Sequence, residues 1–337
     1  MPLAEIVGQT VAVQCLERLV RKARLPHAML FHGPSGCGKR ATALALAQAV
    51  NCPEAAERGT ACGACPVCQR IAKGIDVDVR IFEPTRNEFR REQAATLREE
   101  AFISPNALAR KFLILDAAHR ITPEAANLLL KVLEEPPDTT VFILLTDNPH
   151  LMLPTIKSRS MPMPFRPLSE EDAAVILKGR VPAGALPMLH AMTGGDMGRM
   201  ISLASEPEMD RLTRDIQAFL DQSLLRDKRT LSPTAVAETL QEFAARIDLG
   251  GLDDTAASRA RKGLVHVLES MNAVLGVKLR RRVRGEVSRP PAPSAIAALM
   301  KSVMDTIRII EGSGHQVLAL EGLAMSFQPD PDPAPKG

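Results

Sequence analysis

Gly33-Pro34-Ser35-Gly36-Cys37-Gly38-Lys39-Arg40 is the stretch on which the fold turns. It follows the phosphate-loop pattern GxxxxGK[ST] up to the last position, where Arg40 stands in place of Ser or Thr. Glycines let backbone N–H groups converge on phosphate oxygens, the helix that follows adds its positive N-terminus, and the lysine reaches the terminal phosphates. The missing hydroxyl is the group that holds Mg²⁺, and a guanidinium there opposes the metal. Ala28–Phe31 reads as a short buried strand leading into the loop, and Ala41–Ala47 as a helix leading out. The expectation is a loop with the shape of a nucleotide site and impaired catalysis. Gly33 to Arg40 are its candidate nucleotide-contacting residues, and binding of ATP with Mg²⁺ is in doubt.

Two further strands read downstream. Phe112–Leu115 ends in Asp116, the position of the usual Mg²⁺ partner in phosphate-loop enzymes. The residue after it, a water-polarising Glu in ATPases of this type, is Ala117. His119 three residues past the strand reads as capping or packing before it reads as a substitute base. Thr122-Pro123-Glu124 opens a helix with a capping hydroxyl, a first-turn proline and an acid near the positive end. That helix must stop before Pro136-Pro137, and Val141–Leu145 follows as a third buried strand. Strands alternating with helices predict a parallel α/β sheet.

Cys52, Cys62, Cys65 and Cys68 form a Cx9CxxCxxC cluster. In a reducing compartment such a cluster suits a tetrahedral Zn²⁺, with an iron–sulfur site or unligated thiols as alternatives. Four thiols leave no position for an activated water, so the expected zinc is structural. Cys15 and Cys37 read as small, partly buried residues.

The chain has 337 residues, 45% of them hydrophobic, and a net charge of only +3. No region is strongly basic, and ten Phe with neither Trp nor Tyr leave few platforms for stacking bases, which disfavours a main nucleic-acid reader. No apolar run approaches the roughly 20 residues that span a bilayer, and no signal peptide is legible at the N-terminus, so the expected location is cytoplasmic, away from membranes. The proline-rich stretch 161–167 marks a boundary. The expected division is an α/β domain over 1–165 with a four-cysteine module at about 52–68, a small helical unit over 166–206, a helical domain over 207–327, and a disordered tail over 328–337. The one basic run, Lys278–Arg284, reads as a solvated helix end, with contact to DNA or an acidic partner as the alternative.

Ile6-Val7-Gly8-Gln9, His27-Ala28, the four-cysteine insertion, Asn127 to Pro137 (NLLLKVLEEPP) and Leu153 to Arg159 (LPTIKSR), in this order, resemble bacterial DNA polymerase III clamp-loader subunits of the AAA+ class. The likeness is close over roughly residues 1–205. It implies an AAA+ module with a parallel sheet, flanking helices and a zinc-binding insertion, then a small helical lid and an all-α collar. Arg159, in Ser158-Arg159-Ser160 where the family usually has Ser-Arg-Cys, is implied as an arginine finger acting on a neighbouring subunit's nucleotide. Arg199 matches the family's second sensor arginine, with a packing or salt-bridging role equally open. Motor subunits carry Ser or Thr at position 40 and Glu at 117, so Arg40 and Ala117 favour a non-hydrolysing subunit. The implied partners are gamma/tau-type motor subunits, a clamp-opening delta subunit, the sliding clamp and, through the complex, primed DNA. The readings held against it are an ATP-hydrolysing motor subunit, a stand-alone P-loop ATPase or kinase, and a zinc-dependent nucleic-acid-binding module.

Overall fold

The computed structural model describes residues 1–55, 59–85, 88–181, 185–204, 209–225, 232–246, 255–286, 291–312 and 315–327. These fall into two compact units, Met1–Ile176 with Gly195–Met197, and Leu177–Gly194 with Gly198 onward. The tail expected to be disordered, 328–337, lies outside the described residues. No described helix is long and apolar enough to cross a membrane.

The first unit is built on five parallel strands: β1 Ala28–His32, β2 Val79–Phe82, β3 Lys111–Leu115, β4 Thr140–Thr146 and β5 Met161–Pro164, in spatial order β2-β3-β4-β1-β5. The helices of this unit used below are α1 Thr10–Arg21, α2 Lys39–Asn51, α3 Pro66–Ala72, α4 Arg91–Phe102, α5 Pro123–Glu134 and α6 Pro154–Lys157. Side chains alternate between the faces of a strand, and the two faces feed separate cores. Met29, Phe31, Phe112, Ile114, Ile143 and Leu145 pack with α1 and α2. Leu30, Leu113, Leu115, Phe142 and Leu144 pack with α4 and α5. Fully buried Phe31, Phe112 and Phe142 each contribute about 2–3 kcal/mol of burial.

Two strands escaped the sequence reading. β2, at Val79–Phe82, carries no clear strand signal, and β5, at Met161–Pro164, occupies the proline-rich stretch that reads as a boundary. β5 forms because it is an edge strand: Pro162 and Pro164 stand opposite Leu30 and His32 on its one partner, β1, and a missing N–H is tolerated at an edge. Met163 between them is buried.

The second unit is helical. Its long helix Ala256–Val283, capped by the Thr255 hydroxyl, buries Leu264, Val267, Leu268, Met271 and Leu275. Helices Leu186–Thr193, Met209–Leu225, Pro233–Ala245 and Pro293–Glu311 pack on it.

Candidate functional site

In parallel sheets ligands gather at the carboxyl ends of the strands, and there the glycine loop follows β1. Gly38, in the left-handed region at φ 97°, caps α2, and Gly36 is also left-handed at φ 65°. A Cβ on Gly36 would sit 2.1 Å from Asp196 Oδ1. The Met197 amide donates to the Gly36 carbonyl at 3.3 Å, so Gly195–Met197 is packed directly on the loop. Cys37 is buried, and burial raises its thiol pKa. Lys39 Nζ donates to the carbonyls of Gly33 at 2.7 Å and Pro34 at 2.6 Å.

Ser35, Gly36, Gly38, Lys39, Arg40, Asp116, Ala117, Thr146 and Asp147 line a cavity of about 280 Å³. Inside it the Arg40 guanidinium ion-pairs with Asp116 at 3.6 Å and with Glu83. Asp116 Oδ1 also accepts from the Ala117 amide at 2.8 Å. A permanently charged group thus lies against the carboxylate that a phosphate-loop enzyme uses for its metal. The hydroxyl two residues further on does not replace the one missing at position 40: Thr42 is buried and its Oγ1 donates to the Gly38 carbonyl at 2.9 Å. Ala117, where motors carry their base, is left-handed at φ 45°. His119 packs, its Nδ1 3.2 Å from both Thr146 Oγ1 and Asp147 Oδ1. Glu83 and Asp147 were not among the expected site residues. Each immediately follows the last residue of a parallel strand, as Asp116 does, which is the signal that points to them.

Arg159 lies just past α6. Its Nη2 is 2.5 Å from Glu134 Oε1 on α5, and Nη1 donates to the Thr155 carbonyl at 3.1 Å and to Ser158 Oγ at 3.3 Å. The side chain remains 35% exposed. Ser160, at the family's cysteine position, is buried and donates to the Ile156 carbonyl at 3.0 Å. Arg199 belongs to the second unit and pairs with Glu269 at 3.7 Å.

The sulfur atoms of Cys52, Cys62, Cys65 and Cys68 all lie within 4.8 Å of one another. Four thiolates about 2.3 Å from one Zn²⁺ stand about 3.8 Å apart, so a small inward movement completes the tetrahedron. The amides of Cys62, Cys65 and Cys68 donate to the sulfurs of Cys52, Cys62 and Cys65 at 3.4, 3.3 and 3.5 Å. Such N–H···S bonds orient and stabilise thiolate ligands. The Cys65 amide in first place holds Cys62 down at about 7, whereas burial pushes Cys52 and Cys68 up. Cys52 ends α2 and Cys65 caps α3. Gln48 of α2 donates to the Cys68 carbonyl at 2.7 Å, tying the cluster to the helix after the glycine loop.

A five-stranded parallel sheet with a glycine loop after β1 and an acid after β3 defines the class: a phosphate-loop module of AAA+ type. Residues 8–169 match the family described as DNA polymerase III, delta subunit. The chain is 39% identical over 180 residues to DNA polymerase III subunit delta' of Pseudomonas aeruginosa, covering 52% of this chain and 54% of that protein. It is 36% identical over 160 residues to the Bacillus subtilis delta' subunit, covering 48% of each. To the gamma/tau subunit of Mycobacterium bovis it is 35% identical over 175 residues, which span 52% of this chain and 30% of that protein. The matches therefore span about half or less of these relatives. Over residues 8–169, about half of its length, the chain is that of a DNA polymerase III clamp-loader subunit.

Proposed function

We propose that this chain acts as the delta-prime subunit of a cytoplasmic DNA polymerase III clamp loader, a scaffold that does not hydrolyse ATP and lends Arg159 to a neighbouring motor subunit. The observation that carries the reading is the Arg40–Asp116 ion pair beside Ala117: metal ligand and general base are lost together, and a cation sits against the remaining carboxylate. Arg159 serves as the finger, its planar charge suited to the γ-phosphate oxygens of the neighbour's nucleotide. The partners are gamma/tau-type motors, a delta subunit, the sliding clamp and primed DNA. Residues 1–165, 166–206 and 207–327 act as AAA+ module, lid and collar, and Arg199 is held in ion pairing rather than on a nucleotide.

The four cysteines hold one structural Zn²⁺. Ala55 and Ala61 are the only other buried hydrophobic residues of their small cluster among the described residues, so ligation supplies much of the insertion's folding free energy. Elemental analysis should return one zinc per chain, and Cys68→Ala should release it while the sheet stays folded. Iron, or four freely titrating thiols, would reject the assignment.

The decisive experiment reconstitutes the loader from this chain with its motor and delta subunits and measures clamp loading, alongside ATP turnover by the isolated chain. Loading that requires this chain, with no turnover by the chain alone, supports the reading. The likeness to gamma/tau proteins favours a second one, a hydrolysing motor, and steady turnover abolished by Lys39→Ala would install it.

A further inference from the structure

The Arg159 side chain is anchored by more than the short helix it follows. Glu134 comes from the last turn of α5, immediately before Glu135-Pro136-Pro137, and reaches across to α6. Thr155 and Ser158 hold the other terminal nitrogen. A guanidinium has five N–H donors in a rigid plane, and these three contacts use three of them. Two N–H groups are therefore left for an incoming anion without any contact being broken. An arginine on three unbranched methylenes otherwise samples many rotamers, and ordering it at the moment of reaction costs entropy. A carboxylate 2.5 Å from Nη2 restricts the side chain beforehand.

We infer that Glu134 is a positioning residue for Arg159: it orients the guanidinium so that its two remaining donors meet a phosphoryl group presented by another subunit. The inference rests on the arginine-finger reading above. Glu134 touches no substrate, and its effect passes through Arg159. Its carboxylate also partly offsets the arginine charge, which keeps the side chain from pairing with acids elsewhere on the surface.

The test uses the reconstituted loader with four versions of this chain: Arg159→Ala, Glu134→Gln, Glu134→Asp and the double variant Arg159→Ala with Glu134→Gln. Clamp- and DNA-stimulated ATP hydrolysis is followed across ATP concentrations. Glu134→Gln should lower the Arg159-dependent part of kcat by about three- to tenfold with KM for ATP unchanged, as expected when only transition-state alignment is lost. Glu134→Asp, which keeps the charge on a shorter arm, should fall between Gln and the parent. The double variant should match Arg159→Ala alone, because a residue acting through Arg159 has nothing left to position. A defect in the double variant that exceeds Arg159→Ala would mean a general structural role and overturn the proposal. So would a Glu134→Gln loader at parental rate while Arg159→Ala is impaired, and in that case the finger reading stands. Parental rates with Arg159→Ala would remove the finger, and with it the role of Glu134.

Discussion

Arg40 and Arg159 are both paired with carboxylates, and they occupy opposite situations. Arg40 points into the cavity of its own glycine loop and pairs with Asp116 and Glu83, which follow neighbouring strands. Arg159 sits just past the short helix α6 beyond β4, held by Glu134, Thr155 and Ser158. In the first place the cation stands against the acid that would take a metal. In the second a cation is kept ordered and partly exposed. On the function proposed above, a phosphate-loop module silent at its own site still presents a charge to another, and the geometry allows both because the two arginines share no partner: Arg40 pairs with acids at strand ends, Arg159 with the end of α5 and the residues of and just after α6.

The variant with the largest expected effect is Arg159→Ala. Arginine fingers are worth on the order of 10³–10⁵ in rate at the site they complete. A reconstituted loader should lose the share of stimulated ATP hydrolysis that depends on this one site, with folding, zinc content and assembly unchanged. Parental hydrolysis and loading would break the comparison at its outward half.

A carboxylate held by amides rather than by an arginine sharpens it. Asp78 is 1% exposed and accepts from the amides of Asn106, Ala107 and Leu108 at 2.8, 2.8 and 3.0 Å. Burial alone would raise its pKa, but the three amides and the Lys111 charge outweigh that and hold it below the usual value. Its stabilising contribution is therefore present above the unfolded pKa of about 4 and is lost as pH falls through the folded value. Asp78→Asn should cost about 2 kcal/mol at pH 7 by urea unfolding, and the gap to the parent should narrow towards pH 3. A gap that stays constant with pH would refute the cause assigned.

Arg40→Thr tests the inward half. Restoring the hydroxyl and freeing Asp116 should let Mg²⁺ tighten ATP binding by about tenfold, roughly 1.4 kcal/mol, by calorimetry with and without chelator. Turnover should stay absent, since Ala117 still supplies no base. The parent chain's ATP affinity should be insensitive to Mg²⁺, and a strong Mg²⁺ dependence in the parent would contradict the role given to Arg40. The smallest effect belongs to Lys39→Ala, which should change loading by less than about twofold if, as proposed, its own loop does not turn over. A defect larger than that of Arg159→Ala would reverse the two roles.

Much of this was legible in the residues. β1, β3 and β4 are short apolar runs bounded by polar residues, buried on both faces, and such runs announce themselves without knowledge of their neighbours. β2 and β5 are edge strands of four residues with only partly buried faces, so the hydrophobic signal is diluted, and in β5 prolines erase it.

The sequence by itself determined the glycine loop, the loss of hydroxyl and acid at positions 40 and 117, and the four-cysteine spacing, because each is local: a few neighbouring residues carry the whole pattern. Only the tertiary structure decided where charges go. Glu83 and Arg40 are 43 residues apart along the chain, and Glu134 ends α5 whereas Arg159 follows α6. No periodicity links such pairs. They meet because parallel strands bring successive carboxyl ends to one edge of the sheet, and because the chain after β4 runs back through α6 to the start of β5, past the end of α5.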